Sequence, residues 1–406
     1  MERGIMNNYE NEFNSWLLNL NPFSLTKNDD LKKILIEKNQ EIFDFTIGDP
    51  KEPTPEFIRK ALSQNIDAVS QYPLNNGSLE LRQTCSNWAQ RRLSVDLNPN
   101  LQIITSNGSK EAIFHIPQIL FNAASAKKIV VFPEPGYPVY KAGTILAGGV
   151  PYAIPLSKKK NYVFDPQDIP NEIAPHIAAV WLCYPHNPTG ATISFQQMQA
   201  IYEWALKFNI ILLSDECYID MFYQGKEKPH SFLEIAKNFD LKNLICFFSL
   251  SKRSGMTGYR SGFVAGQTEL ISLFAKYRLN VGLGTPDFVQ KAAVVAWQDD
   301  KHVLERNSIF KQKRDIVDKF CLKNKIKVLP SNATFYVWGE IPKKFNSDKE
   351  FIEELFMQTG ILLTAGSSFG NSCFKNFRMA LVPTVEKIKE CLEIWQEKID
   401  LGEFKL

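Results

Sequence analysis

A lysine and an arginine stand eight residues apart in "FSLSKRSGMTGYRSG" (residues 248–262), directly after the apolar run Leu244–Phe247. An amine held beside other cations has a depressed pKa, which makes Lys252 a usable nucleophile able to condense with a carbonyl. Arg260 presents a fork of donors that matches phosphate, with the Ser249 hydroxyl beside it. Gly255 and Gly258 would let the chain between them curl so that both ends face one ligand. Four further clusters have similar potential. Ser106-Asn107-Gly108-Ser109-Lys110 opens a helical pattern, and free amides with a small hydroxyl at a helix start can cup an anion. Pro133-Glu134-Pro135-Gly136-Tyr137-Pro138 is a stiff turn whose Tyr137 could stack on a planar group. Asn187 lies between prolines in "PHNPTG", so its amide is held in one direction, toward an oxygen such as a phenolate. Asp215, in "SDECY", is a carboxylate at the end of an apolar run and needs a cationic partner. His186 and Cys217, in the same strings, read as a loop residue and a small core residue.

The elements that must position these groups are short apolar runs: 102–105, 129–132, 177–184, 210–214, 244–248 and 262–265. Their length and unbroken apolarity suit strands covered on both faces. Helical patterns at 108–122 and 195–208 lie between them. This alternation predicts an α/β fold with a mostly parallel sheet, and ligands of such sheets bind beyond the carboxyl ends of the strands. Each cluster above follows one of the runs, in chain order. Together they offer a phosphate cup, a stacking ring, an amide, a carboxylate and an amine. Those are the needs of a phosphorylated pyridine aldehyde, pyridoxal phosphate.

The strings "NPTG", "SDECY", "SLSKRSGMTGYRSG" and "FRMAL", in this order, resemble the class I/II aminotransferases of the fold-type-I pyridoxal-phosphate family. The resemblance runs from Ile47-Gly48-Asp49-Pro50 to Phe377-Arg378-Met379-Ala380. It implies that Lys252 carries the cofactor covalently and moves the proton at the substrate Cα. It implies that Asp215 pairs with the ring nitrogen, and that Asn187 and Tyr218 bond the ring oxygen. Tyr137 would stack on the ring. Gly108, Ser109, Lys110, Ser249 and Arg260 would hold the phosphate, joined by Tyr72 from a second subunit. Arg378 would clamp the substrate carboxylate with Asn187 and the Gly48 backbone. A homodimer with active sites at the subunit interface follows, acting on small amino-acid and keto-acid substrates. Within the family, "GSKEAIFH", "RSGFVAG" and "VQKAAVVAWQDDKHVLERN" are similar to the N-succinyl-LL-diaminopimelate aminotransferases of lysine biosynthesis, which pair that amine with glutamate and 2-oxoglutarate. Phe248 and "GMTGY" depart from that subgroup. Alternative donors are LL-diaminopimelate, aspartate or aromatic amino acids, and a carbon–sulfur lyase is a further reaction of the fold. Arg278 is either a second carboxylate ligand or a helix-surface charge.

The bulk composition agrees. The chain has 406 residues, 44% hydrophobic and 22% charged, with a formal net charge of +3. That near balance excludes a nucleic-acid-binding surface, which needs a dense excess of Lys and Arg. The seven cysteines are scattered without a C-x-x-C pair, so neither a disulfide framework nor a metal site is expected. No apolar run is long enough for a membrane span, and "MERGIMNNYENEF" has no apolar signal core, so the expected compartment is the cytoplasm. The expected organisation is an arm and first helix over 1–45 that pack with the small domain. A large cofactor-binding domain over 46–285 and a smaller α+β domain over 286–406 follow, with a long helical pattern over 287–320.

Overall fold

The computed structural model describes residues 16, 29–37, 40–66, 71–122, 124–282 and 284–406. Most of the expected N-terminal arm lies outside them. Twelve strands occur among the described residues: β1 (Phe43–Asp44), β2 (Ile103–Ser106), β3 (Ile129–Glu134), β4 (Val150–Pro155), β5 (Ile177–Cys183), β6 (Ile211–Asp215), β7 (Leu244–Ser249), β8 (Gly262–Gly266), β9 (Tyr336–Glu340), β10 (Ile361–Leu362), β11 (Thr364–Ala365) and β12 (Asn376–Ala380).

Seven of them form one sheet in the order β2-β8-β7-β6-β5-β3-β4. All six runs expected as strands are in it. β4 has no counterpart among them. It is a half-exposed edge strand with a proline at each end of "PYAIP", so its apolar signal is diluted. The sheet explains the unbroken apolarity of the others. Val180, Leu182, Leu212, Cys246 and Phe248 pack into one core cluster, and Ala179, Trp181, Leu213, Ile245 and Phe247 into another. Successive side chains of a strand point to opposite faces, so two cores demand apolar residues at every position.

Pairing is parallel from β4 through β3, β5, β6 and β7, and antiparallel at β7–β8 and β8–β2. β8 therefore runs against all its neighbours, and its amino end lies at the same sheet edge as their carboxyl ends. That single reversal returns the chain to the functional edge.

The helix Phe195–Lys207 meets its expected span, and its start is set by a capping box between Ser194 and Gln197. The helix expected over 108–122 is shorter. It runs Ser109–His115 and tightens into a 3-10 turn at Ile116–Ile119, where Pro117 removes a donor. The pattern over 287–320 is two helices, Asp287–Gln298 and Lys301–Lys323. They part at Asp299-Asp300, where the Asp299 side chain accepts from the His302 amide and diverts the backbone.

β11, β12 and β9 form a separate antiparallel sheet, and β1 pairs parallel with β10. Arg378 is central in β12, opposite Trp338 on one side and Thr364 on the other. Among the described residues no helix is long and apolar enough to cross a membrane.

Candidate active site

The carboxyl ends of β2, β3, β5, β6 and β7 carry Gly108, Tyr137, Asn187, Asp215 and Ser249 within a few residues of each strand. Arg260 enters the same edge two residues ahead of β8. Arg378 comes from the smaller sheet, and its Nη1 donates to the Asn187 Oδ1 at 3.1 Å.

Lys252 lies on the short helix Leu250–Arg253 that closes β7. Its Nζ donates to the Gly48 carbonyl and lies 5.8 Å from the centre of the Phe335 ring. Burial pushes its pKa down to about 8, against Asp49 and with help from the guanidiniums of Arg378 and Arg260. Lys252 thus has a far larger free-amine fraction near neutral pH than an ordinary lysine. Gly48 approaches so closely that a Cβ there would strike the Tyr336 hydroxyl.

Asp215 is 3% exposed and forms no ion pair among the described residues. Tyr140 donates its hydroxyl to Oδ2 at 2.8 Å, and the Cys217 amide points at Oδ1 at 3.4 Å. Burial raises the carboxyl's pKa, and these hydrogen bonds only partly offset it. Tyr140 is itself fixed by stacking on Trp181, with centroids 4.6 Å apart. Tyr218 shares a 2.9 Å hydrogen bond with Tyr336. Tyr137 packs edge-on to Tyr140 at 5.7 Å.

Gly108 has φ +75° and caps the helix Ser109–His115 without a side-chain bond of its own. A Cβ there would collide with the Arg260 guanidinium, so arginine and helix start share one cradle. Arg260 donates to the Thr257 carbonyl at 2.8 Å and the Asn107 carbonyl at 3.2 Å, which aims it there. Ser249 accepts from the Ser251 amide at 3.1 Å. Ser109 is half-buried at this cradle, Lys110 is exposed, and Tyr72 is wholly exposed.

Arg378 is buried between two aromatic faces, Tyr336 and Phe369, each centred 4.6 Å from its guanidinium carbon. It also donates to the Thr46 carbonyl and to the Thr364 hydroxyl. No carboxylate pairs with it among the described residues, and its Nε has no partner. A buried guanidinium without a counter-ion and a buried carboxylate without a cation call for a ligand that brings both charges. A pyridinium beside Asp215, a phosphate at Gly108–Arg260 and a substrate carboxylate at Arg378 fit those three places.

One neighbouring residue differs from its sequence reading. Arg278 is not a helix-surface charge: it is fully buried and ion-paired to Glu111, which also accepts from the Asn107 amide. His186 lies in the loop after β5, as expected; it is fully buried there, bonded to the Thr189 hydroxyl at 2.8 Å, and burial holds its pKa near 3. Cys217 is half-buried beside Asp215 and packs against the edge of the core. Arg253 has no place in the site. It is buried against Asp220 at 2.8 Å and over Trp297 at 4.9 Å. Glu216 points away from Asp215. Its Oε1 accepts from Ser214 at 2.8 Å and from the Phe232 amide at 3.0 Å, and burial pushes its pKa up to about 7.

The site residues that sequence reading missed are Tyr140, Tyr336 and Phe369. Tyr140 stands one helical turn after Tyr137, a legible spacing. Nothing local marks Tyr336 or Phe369: Tyr336 reaches Arg378 across the pairing of β9 with β12, and Phe369 from the loop before β12.

Residues 40–394 match the family described as aminotransferase class I and II. The chain belongs to this family. An LL-diaminopimelate aminotransferase of Aquifex aeolicus is 34% identical over 94% of this chain and 98% of its own length. An LL-diaminopimelate aminotransferase 2 of Trichormus variabilis is also 34% identical, over 95% and 98%. The crystal structure of an aminotransferase from Neisseria meningitidis superposes with a TM-score of 0.86 at 30% identity, covering 96% and 100%. The protein is thus a fold-type-I aminotransferase, an enzyme of amino and keto acids whose cofactor is pyridoxal phosphate. The names of these two relatives specify diaminopimelate without the N-succinyl group, which favours the alternative donor over the one expected first.

Proposed function

We propose that the protein transfers an amino group between LL-diaminopimelate and 2-oxoglutarate, with glutamate as the partner amino acid, in lysine biosynthesis. The observation that carries the transaminase site is Arg378: a buried, aromatic-sandwiched guanidinium without an acidic partner, bonded to Asn187. The diaminopimelate relatives support the donor. N-succinyl-LL-diaminopimelate is the competing donor, supported by the resemblance of several sequence strings.

When bound, pyridoxal phosphate supplies an electrophilic aldehyde carbon and a protonated ring that accepts electron density. Gly108, Ser109, Ser249 and Arg260 hold its phosphate, with Lys110 at the rim. Asp215, oriented by Tyr140, keeps the ring nitrogen protonated, and the ring's charge compensates the burial of the carboxylate. Asn187 and Tyr218 bond the ring oxygen, and Tyr137 covers the ring face. Arg378 orients the α-carboxylate of either substrate, with Asn187 and the Gly48 backbone beside it. Lys252, with its pKa near 8, is the attachment point and the base that takes and returns the proton at Cα.

Exposed apolar residues support a homodimer. Tyr72 and Leu74 are exposed, Leu279 and Val281 also, and Gly284 touches Pro73, so the two strips adjoin. A second subunit covering them would bring Tyr72 to the neighbouring phosphate. We divide the chain as 1–45, 46–285 and 286–406. Free thiols at all seven cysteines support the cytoplasm.

The test is direct. Lys252→Ala should abolish both turnover and the absorbance band of lysine-bound cofactor, while a variant keeping either would overturn the assignment. Assays of LL-diaminopimelate against its N-succinyl form, each with 2-oxoglutarate, decide the donor.

A further inference from the structure

Residues 46–54 form a strap tied at nearly every step. Arg378 holds the Thr46 carbonyl and Lys252 the Gly48 carbonyl. The Lys51 amide donates to the Val382 carbonyl at 3.3 Å. Glu52 is ion-paired to the fully buried Lys313, the Pro53 carbonyl accepts from Arg306 at 3.2 Å, and Thr54 donates to the Gly255 carbonyl at 2.6 Å. The strap is thus anchored to β12 and its exit, to the helix Lys301–Lys323 and to the lysine loop. Between these anchors two charged side chains remain open to solvent. Asp49 and Lys51 are 43% and 63% exposed, and their charged atoms lie 3.6 Å apart.

Asp49 directly follows the residue that Lys252 touches, and its carboxylate acts on the Lys252 ammonium. A fixed backbone therefore presents a carboxylate whose charge reaches the reacting amine, with the Lys51 ammonium paired to it. We propose that Asp49 and Lys51 recognise the distal amino-acid end of the donor, its ammonium on Asp49 and its carboxylate on Lys51. This rests on the reading of LL-diaminopimelate as donor. That molecule has two amino-acid ends. The reacting end is met by Lys252 and Arg378, and the far end carries the charges complementary to Asp49 and Lys51.

The energetics favour the exchange. An exposed ion pair is worth little by itself, so opening it to admit a ligand zwitterion costs little. The anchored strap needs no ordering on binding, which conserves affinity. The pair also discriminates. Succinylation removes the distal ammonium and adds a carboxylate, so Asp49 then meets a like charge with no partner.

The experiment uses the cofactor-loaded enzyme and Asp49→Asn. Donor affinity is read from titration of the cofactor absorbance, and kcat/KM from steady-state turnover with LL-diaminopimelate, its N-succinyl form and glutamate, which lacks a distal ammonium. Asp49→Asn should weaken LL-diaminopimelate by about 10- to 100-fold, mostly in affinity and KM, the range for a hydrogen bond to a charged group. Glutamate should be unchanged and the preference should move toward the succinylated donor, with Asp49→Glu recovering part of the loss. An unchanged affinity for LL-diaminopimelate, or an equal loss for glutamate, overturns the inference. A wild-type enzyme that ignores LL-diaminopimelate overturns the donor reading itself, and that result is visible before any variant is compared.

Discussion

Replacing Arg378 by methionine separates function from folding. On the proposed role, the guanidinium would give the substrate carboxylate two charge-assisted hydrogen bonds at about 1.5–3 kcal/mol each, so their loss would remove about 3–6 kcal/mol. At about 1.4 kcal/mol per tenfold, kcat/KM should fall by about 10²- to 10⁴-fold. The fold should feel much less. Arg378→Met strands three acceptors, Asn187 Oδ1, the Thr46 carbonyl and Thr364 Oγ1, but it also removes a buried charge that has no counter-ion. These effects oppose each other, and the free energy of unfolding should stay within about 2 kcal/mol of wild type. Arg378→Lys keeps the charge but not the planar fork, so its activity should lie between the two. The assay measures both half-reactions, amino donor and keto-acid acceptor, because each substrate presents an α-carboxylate. Urea unfolding accompanies it. The reasoning fails if Arg378→Met loses less than about tenfold in both halves, if only one half suffers, or if lost activity follows lost stability.

Asp215→Asn keeps an acceptor for Tyr140 but cannot hold the ring nitrogen's proton. It should lower kcat by about 10²- to 10³-fold, the cost of losing one preorganised electrostatic partner, with cofactor still bound by absorbance. Glu216→Gln tests a buried acid outside the chemistry. Its folded-state pKa, about 7, lies above the usual 4.5, so the stability it contributes is present below pH 4.5 and lost as pH rises through 7. Urea unfolding at pH 8 should show the variant more stable by up to about 3 kcal/mol, with the gain gone at pH 4.5; equal stability of the two proteins at pH 8 would refute the buried charge.

The residues legible in the sequence are those on the large sheet's functional edge. Each follows an apolar run whose meaning is local: a strand covered on both faces, then a polar turn. Asn187, Asp215 and Lys252 could be read this way because strand and functional residue are adjacent in the chain. The smaller sheet was legible as part of an α+β domain over 286–406, and its functional residue through the string around Arg378. The aromatic pair that sandwiches this arginine, Tyr336 and Phe369, depends on pairing between β9 and β12 and on the loop before β12, which no local pattern encodes. Arg278 was misread for a related reason. Its helix carries charges that look solvent-facing, and only the tertiary position of Glu111 gives the arginine a buried partner. The donor's identity was the least legible part, because the quoted strings carry the shared cofactor chemistry and none of them specifies the far end of the donor.

The reversal at β8 has a consequence for assembly of the protein. β7 and β8 are antiparallel neighbours with the shortest connection of any strand pair in the large sheet, and that connection carries both Lys252 and Arg260. Parallel pairs such as β5–β6 must close much longer loops before any contact rewards them. The two cations are thus carried on the most local piece of an otherwise non-local sheet, with their separation tied to the pairing of Ser249 with Gly262. Pulse-labelled hydrogen exchange during refolding should find the β7–β8 amides protected before those of β5–β6. Simultaneous protection would mean that the hairpin gains nothing from being local.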